Sequence, residues 1–182
     1  MKNSFKTSFE FTKNLLTTGA FKETSRRVEI EICSKLPTGP NRVIVEFGMG
    51  HANISKEILR TISPSSKLYA FEVKEEFCDH VAALINDERL IIINDGAENL
   101  HKHVGTPVHG FVSTIPFTFF SKEMSNAILN QAYEALAPGH YFSQALYSKA
   151  HMKKFKNTFD EVTLKRFLNI PLECVHHCKK NA

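Results

Sequence analysis

An acidic residue and two glycines stand at the end of the first apolar run of the chain. Glu46 closes that run, and Gly48 and Gly50 follow it almost directly. Glycines permit a tight turn and let a ligand approach the backbone closely. A carboxylate at Glu46 can hold the ammonium of a ligand that carries an amino acid, directly or through water. The spacing predicts a ligand-binding turn at Gly48 and Gly50.

Further polar candidates stand at the ends of the next two apolar runs. The second run ends in Glu72, followed by Val73, and a carboxylate there accepts hydrogen bonds from ribose hydroxyls. The third run is followed by Asp95, Gly96 and Ala97, where a side chain can contact an adenine amino group. The ordered set predicts a nucleoside-bearing ligand.

A nicotinamide dinucleotide fold is a rival interpretation of the same pattern. That fold prefers Gly-x-Gly-x-x-Gly, and the third glycine position is Asn53 here. Both classes share the acidic residue at the second strand end, so Asn53 decides between them only in part.

The elements that must position these residues alternate between strands and helices. Such alternation predicts right-handed crossovers and a parallel sheet, whose ligands lie beyond the carboxyl ends of the strands. We expect an α/β fold: a Rossmann-like three-layer sandwich with a mostly parallel seven-stranded sheet and an antiparallel C-terminal strand. Strands are predicted at 42–47, 67–72, 90–94, 108–113 and 140–147, helices at 53–62, 74–86 and 121–136, and a closing antiparallel pair near 157–163 and 172–179.

Length and composition fit one domain with a normal core. The chain has 182 residues, of which 42% are hydrophobic, and its four cysteines show no Cys-x-x-Cys spacing. We see no secretory signal and no run near the ~20 apolar residues that a spanning helix needs, so a cytoplasmic protein is expected. We divide the chain into N-terminal helices at 1–36 and a ligand-binding domain at 37–182.

The two ends of the chain are basic. Residues 1–30 carry six lysines and arginines against three acids, and residues 149–182 carry eight against three. This distribution favours an anionic partner near the termini, either lipid headgroups or RNA, although solubility alone also accounts for it. A helix predicted over 3–17 places Phe5, Phe9 and Leu16 on one face. It would either pack as a lid on the domain or contact an anionic membrane through residues 1–20, at the inner membrane face.

A histidine-rich and cysteine-rich C-terminal strand raises the question of a metal. Cys174, His176 and Cys178 would point to one side of that strand and His177 to the other. Three ligands on one terminal strand are usually not a zinc site, so no metal is expected.

The ordered motifs resemble class I S-adenosylmethionine-dependent methyltransferases, and within them bacterial phospholipid N-methyltransferases. The resemblance spans nearly the whole chain, through Asn169-Ile170-Pro171, and departs from the family at His140 and at Lys22–Ser25. Besides the glycine turn and its acidic partners, it rests on Asn14–Ala20, Ser113–Phe117, Leu136–Gly139 and Gln144–Tyr147.

This resemblance implies S-adenosylmethionine as the cofactor and assigns roles to individual residues. The catalytic candidates are Ser113 and Tyr147. A strand-end hydroxyl bonded to its own backbone accounts for Ser113 equally, and a half-buried core tyrosine is the favoured interpretation of Tyr147. The cofactor contacts it implies are Thr18, Gly19, Glu46, Gly48, Gly50, Glu72, Val73, Asp95, Gly96, Ala97 and Ser113. The substrate contacts it implies are Thr114, Ile115, Pro116 and Phe117.

Methyl transfer to an amine is therefore expected, with a phospholipid or aminolipid headgroup as the favoured acceptor. An RNA adenine methyltransferase is the first alternative. Such enzymes carry Asn or Asp where Thr114 stands, so nucleic acid is disfavoured, but Phe117 could still stack on a base. The second alternative is a protein that binds S-adenosylmethionine without catalysis.

Overall fold

A computed structural model describes residues 24–147, 151–168 and 172–182 of the chain. The predicted helix at 3–17 and the candidate cofactor residues Thr18 and Gly19 lie outside these ranges, so they remain predictions.

Strands and helices alternate from the first strand to the fifth. The strands are β1 (Val43–Phe47), β2 (Lys67–Phe71), β3 (Leu90–Ile93), β4 (Gly110–Ser113), β5 (Tyr141–Leu146), β6 (Glu161–Phe167) and β7 (Glu173–Lys179). The α-helices are α1 (Arg26–Cys33), α2 (Asn53–Thr61), α3 (Glu75–Leu84), α4 (Leu100–His103), α5 (Lys122–Ala135) and α6 (Met152–Thr158). Two short 3₁₀ turns, Ala97–Asn99 and Phe117–Phe119, follow β3 and β4.

The seven strands form one sheet in the order β3-β2-β1-β4-β5-β7-β6. Strands β1 to β5 pair in parallel, and β7 runs antiparallel to both of its neighbours, β5 and β6. The expected α/β sheet with a single antiparallel C-terminal strand is therefore confirmed. The order reverses between β1 and β4, so the carboxyl ends of these two strands flank the crevice where ligands bind in open α/β sheets.

Apolar side chains cover both faces of the sheet, as a parallel sheet between two helical layers requires. One face carries Phe47, Phe111 and Phe142 toward α5 and α6. The other carries Ile44 and Leu68 toward the helices α1, α2 and α3. Helix α1 belongs to this second core, since its Val28 and Ile32 are fully buried. The division of the chain at residue 36 stays a prediction, and α1 shares the core of the domain that follows it.

Several boundaries differ from those predicted. The segment at 157–163 is not one strand: residues 157 and 158 end α6, and β6 begins at Glu161. Phe155 is the buried residue of α6 and packs the helix on the sheet. One buried apolar residue makes no periodic pattern, so the sequence did not indicate this helix. The strand predicted at 108–113 begins at Gly110, and Val108 makes an isolated parallel bridge to Leu136 instead. The short helical segment from Ala97 to His103 was not predicted.

Within the described ranges, none of the helices is long and apolar enough to cross a membrane.

Candidate functional site

Both glycines of the turn after β1 have positive φ. Gly48 has φ +82° and Gly50 φ +50°, in the left-handed region that side chains disfavour. The amides of Gly48 and Met49 both donate to the Phe71 carbonyl, at 2.9 and 3.1 Å, which ties the turn to the end of β2. A Cβ on Gly48 would lie 3.1 Å from the Ile115 side chain, whereas a Cβ on Gly50 would meet no atom within 4 Å. The turn thus packs closely under Gly48 and is open beside Gly50.

Glu72 holds the turn in place from the end of β2. Its Oε2 accepts the Gly50 amide at 3.0 Å and its Oε1 accepts the Lys74 amide at 3.0 Å. The carboxyl group is buried, with 7% of the residue exposed. Each carboxylate oxygen has further lone pairs, so Glu72 can accept hydroxyl hydrogen bonds as well. Val73 lies between Glu72 and Lys74 in the chain. The ribose role of Glu72 and the contact from Val73 stay predictions.

Glu46 is a buried carboxyl group at the end of β1. Its side chain is fully buried, and Ser55 of α2 donates to its Oε2 at 2.6 Å. Burial raises the pKa of Glu46 to about 8, the Ser55 hydrogen bond opposes this, and the nearby Glu72 carboxylate adds to it. Glu46 Oε1 has no hydrogen-bond partner among the described residues. A cationic group placed at Oε1 would satisfy that oxygen and favour ionisation of the carboxyl group.

Asp95 caps its own loop at the end of β3. Its Oδ1 accepts from the Gly96 amide at 2.8 Å and from Asn99 Nδ2 at 2.7 Å, and its Oδ2 lies 2.8 Å from His103 Nε2. Burial raises the pKa of Asp95, but the His103 and Asn99 hydrogen bonds outweigh it and the pKa is lowered. Ala97 is buried beside this loop. The carboxylate therefore orders the 95–103 segment, and its predicted contact with adenine would be an additional role.

The loop after β4 connects the glycine turn to the acceptor side of the sheet. Ser113 is fully buried, and Thr114 Oγ1 donates to the Gly48 carbonyl at 2.9 Å. Ile115 and Pro116 are half-buried. The Phe117 ring is only 1% exposed and packs against Phe155, with ring centroids 6.1 Å apart. Phe117 thus has no free face on which a base could stack.

Tyr147 follows β5 directly, at the same edge of the sheet. It is 36% exposed. Burial raises the pKa of its hydroxyl, and the Glu173 carboxylate adds to the effect. The hydroxyl is therefore neutral at physiological pH, and the catalytic role of Tyr147 stays a prediction.

Two residues that the sequence analysis did not include as site residues join this region. Gln144 pairs with Ser113 across β4 and β5, and His176 pairs with Gln144 across β5 and β7. Both side chains are fully buried. Gln144 appeared in the sequence only as part of a family motif, and His176 only as a metal candidate. Strand pairing, which brings them beside Ser113, is not encoded in local sequence spacing.

A metal site does not form from these residues. Within the described ranges, no group of three or more His, Cys, Asp or Glu side chains is placed to hold a metal ion. His177 faces the opposite side of β7 from His176, where its ring bonds to Ser143 Oγ at 2.8 Å and to Glu31 at 3.2 Å.

Solved structures of methyltransferases share this architecture. An rRNA methylase from Streptococcus thermophilus matches 89% of this chain and 100% of its own, at 17% identity and a TM-score of 0.67. The N-methyltransferase NodS from Bradyrhizobium japonicum, solved with S-adenosyl-L-homocysteine, matches 86% of this chain and 87% of its own, at 8% identity and a TM-score of 0.68. The fold is that of class I S-adenosylmethionine-dependent methyltransferases.

The acceptor does not follow from the fold. An O-methyltransferase from Thermotoga maritima matches 94% of this chain and 71% of its own, at 12% identity and a TM-score of 0.67. An RNA methylase, an N-methyltransferase and an O-methyltransferase thus match this chain at nearly the same TM-score. No protein-family model matches the sequence, and no curated protein is significantly similar to it.

Proposed function

We propose that this protein binds S-adenosylmethionine and transfers its methyl group to an amine, most favourably the headgroup amine of a phospholipid. The observation that carries the cofactor assignment is the orphaned Oε1 of Glu46 beside the turn of Gly48 and Gly50. A buried carboxyl oxygen without a partner suits the ammonium of an amino-acid-bearing cofactor. Glu72, at the end of the next strand, would accept hydrogen bonds from the ribose hydroxyls of the cofactor.

The cofactor supplies a sulfonium methyl group, and the protein supplies alignment. The amine nitrogen forms a bond to the methyl carbon as the carbon–sulfur bond breaks, sulfur keeps the electron pair, and the nitrogen then loses a proton. Thr114 and Ile115 lie against Gly48, so they would separate the turn from the acceptor. Ser113, Thr114, Ile115, Pro116 and Phe117 form the loop that the acceptor would approach.

An apolar rim supports a lipid acceptor. Four of the large hydrophobic residues that are at least 36% exposed stand at the carboxyl edge of the sheet: Phe119, Tyr147, Leu168 and Leu172. They surround the ends of β4, β5 and β6 and the start of β7. Exposed apolar groups collected at one edge are characteristic of interaction sites.

A lysine pair lies at the same edge. Lys122 begins α5 and Lys154 lies in the first turn of α6. Burial lowers the pKa of Lys154, and the charge of Lys122 lowers it further. Two cations beside an apolar rim complement a lipid phosphate above its acyl chains.

The experiment measures cofactor binding first and methyl transfer second. Calorimetric titration of the full chain with S-adenosylhomocysteine tests the cofactor site, and binding of a nicotinamide dinucleotide in its place would overturn the proposal. Tritiated S-adenosylmethionine is then supplied with vesicles of phosphatidylethanolamine and phosphatidylglycerol, with vesicles in which phosphatidylcholine replaces phosphatidylethanolamine, or with ribosomal RNA. We expect label only with phosphatidylethanolamine.

The remaining outcomes separate the alternatives. Labelled RNA would identify an RNA methyltransferase, the activity named for one of the similar structures. Cofactor binding without transfer to any acceptor tested would contradict the lipid proposal and is the result expected of a non-catalytic binder.

The membrane contact of residues 1–20 has its own test. Replacing Lys2, Lys6 and Lys13 with glutamate in the full chain should prevent flotation with phosphatidylglycerol vesicles, because the reversed charges are repelled by anionic headgroups. Equal flotation of the variant and the natural chain would contradict this contact.

A further inference from the structure

Three polar side chains form a row across β4, β5 and β7. Ser113 pairs with Gln144, and Gln144 pairs with His176. Residues paired directly across neighbouring strands project from the same face of a sheet. All three side chains are 0% exposed, and the row lies on the face that carries Phe111, Phe142 and Cys178.

Four polar atoms of the row lack hydrogen-bond partners within the described ranges. Ser113 Oγ, Gln144 Oε1 and both ring nitrogens of His176 make no hydrogen bond within the described part of the chain. Buried polar atoms are nearly always paired, so several adjacent orphans need an explanation. The adjacent His177, by contrast, bonds to both Ser143 and Glu31. On β7, the ring without hydrogen-bond partners among the described residues is therefore His176, on the face that carries the row.

Hydrogen bonds connect the row to the glycine turn. Gln144 Nε2 donates to the Ile115 carbonyl at 3.1 Å, and Thr114, the preceding residue, donates to the Gly48 carbonyl at 2.9 Å. Neighbouring strands lie about 4.8 Å apart, so the backbones of His176 and Ser113 are roughly 10 Å apart. The row thus extends from the expected position of methyl transfer toward β7.

The row offers hydrogen-bond acceptors to a ligand. Gln144 Oε1 only accepts, whereas Ser113 Oγ and a neutral imidazole can each accept one hydrogen bond and donate one. Burial lowers the pKa of His176 to about 4, so the ring is uncharged at neutral pH. The Phe155 ring covers it at a centroid distance of 5.0 Å. An anion would find no charge to pair with there, whereas an N–H group would be accepted.

We propose that Ser113, Gln144 and His176 form the subsite for the acceptor amine and bind it through its N–H groups. The inference rests on the proposed function and deepens it, because it predicts which amines bind. A primary amine offers the most N–H groups, each methylation removes one, and a quaternary ammonium offers none. Affinity should therefore fall with each methyl group added. The side chains have no exposed surface, so the segments that cover them must move to admit the amine.

The test uses soluble probes and the histidine signals of the full chain. Protein with nitrogen-15 in its histidine rings is saturated with S-adenosylhomocysteine and titrated with glycerophosphoethanolamine, glycerophosphocholine or adenosine. We expect the ethanolamine probe to shift the His176 signals and leave the His177 signals unmoved, and the choline probe to shift neither. Assignment comes from His176→Gln and His177→Gln variants.

Variants then separate binding from folding. Gln144→Leu and His176→Phe should each weaken binding of glycerophosphoethanolamine at least tenfold and change the affinity for S-adenosylhomocysteine less than about threefold. His177→Gln, the matched control on the opposite face, should change neither affinity. Equal shifts with ethanolamine and choline probes, a shift with adenosine alone, or no shift while S-adenosylhomocysteine binds would each overturn the inference. Failure to bind S-adenosylhomocysteine would instead count against the proposed function.

Discussion

The two halves of the carboxyl edge differ in how their polar groups are satisfied. On the side of β2 and β3, Glu72 accepts two backbone amides and Asp95 is bonded by Gly96, Asn99 and His103. On the side of β4, β5 and β7, the orphaned atoms of Ser113, Gln144 and His176 lie together. Glu46, at the centre, has one satisfied oxygen and one orphan.

This difference separates a preformed turn from a site that lacks its partners. Backbone hydrogen bonds fix the glycine turn before any ligand binds, which lowers the entropic cost of binding. The unsatisfied row destabilises the protein unless a ligand or water bonds to it. We therefore expect substitutions in the glycine turn to change the affinity for the cofactor. Substitutions on β7 should change the free energy of unfolding as well.

The largest effect is expected from Gly50→Asp. The open space beside Gly50 accepts a side chain, but the new carboxylate would occupy the cofactor's approach and repel the Glu72 carboxylate that accepts the Gly50 amide. Affinity for S-adenosylhomocysteine should fall by at least about 100-fold in calorimetric titration. Gly50→Asn is the matched control, since asparagine has the same size without charge and tolerates positive φ. Undiminished affinity in the aspartate variant would mean that the cofactor binds elsewhere.

The next effect is a pH dependence from Glu46. With a pKa of about 8 in the free protein, the carboxyl group must lose its proton to pair with the cofactor's ammonium. Affinity for S-adenosylhomocysteine should weaken by up to about tenfold for each pH unit below 8. Titrations at pH 6, 7 and 8 measure this slope, and Glu46→Gln should remove it. A slope that is unchanged in Glu46→Gln would exclude Glu46 as its source.

The same group makes a prediction about stability. Its folded pKa of about 8 lies above the ordinary glutamate value of 4.5, so the folded state binds more protons between these values. The free energy of unfolding should therefore decrease as the pH rises from about 5 to 8. Urea denaturation should show a smaller decrease in Glu46→Gln, which has no carboxyl group to ionise. Identical pH dependence in both proteins would contradict the raised pKa.

Substitutions of the two adjacent histidines of β7 should have smaller effects on the free energy of unfolding, and the two effects should differ. His177→Phe removes the partner of Ser143 and Glu31, so it should lower the free energy of unfolding by about 1–3 kcal/mol. His176→Phe removes two orphaned nitrogens and should change it by less than about 1 kcal/mol or stabilise the protein. Urea denaturation without ligand measures both, and a larger loss in His176→Phe would show that its ring is satisfied after all.

The smallest effect is expected from Asp95→Asn. Asp95 is partly exposed and mainly orders its own loop, so affinity for S-adenosylhomocysteine should fall only about threefold. Asp87→Asn serves as the control, because Asp87 is similarly exposed and pairs with Arg89 before β3, at the opposite edge of the sheet. A loss of 30-fold or more in Asp95→Asn would assign it a direct cofactor contact.

Much of the fold was predictable because parallel strands leave strong local signals. The strands Val43–Phe47 and Leu90–Ile93 are short, mainly apolar runs, and α2 carries Ile54, Ile58 and Leu59 on one face. Helix α6, which was not predicted, has one buried apolar residue, Phe155, and basic neighbours. Its helical state depends on contact with the sheet, which a local pattern does not reveal.

The sequence by itself determined the order of the motifs. Glycines at 48 and 50, the acids at 46 and 72 and the Asp95-Gly96-Ala97 corner follow successive strands, and a parallel sheet necessarily brings successive carboxyl ends to one edge. Tertiary structure decided the rest. Placement of β7 antiparallel beside β5 sets His176 next to Gln144 and turns His177 to the opposite face. Strand order and register are long-range pairings, so only the folded chain reveals which polar groups are left without partners.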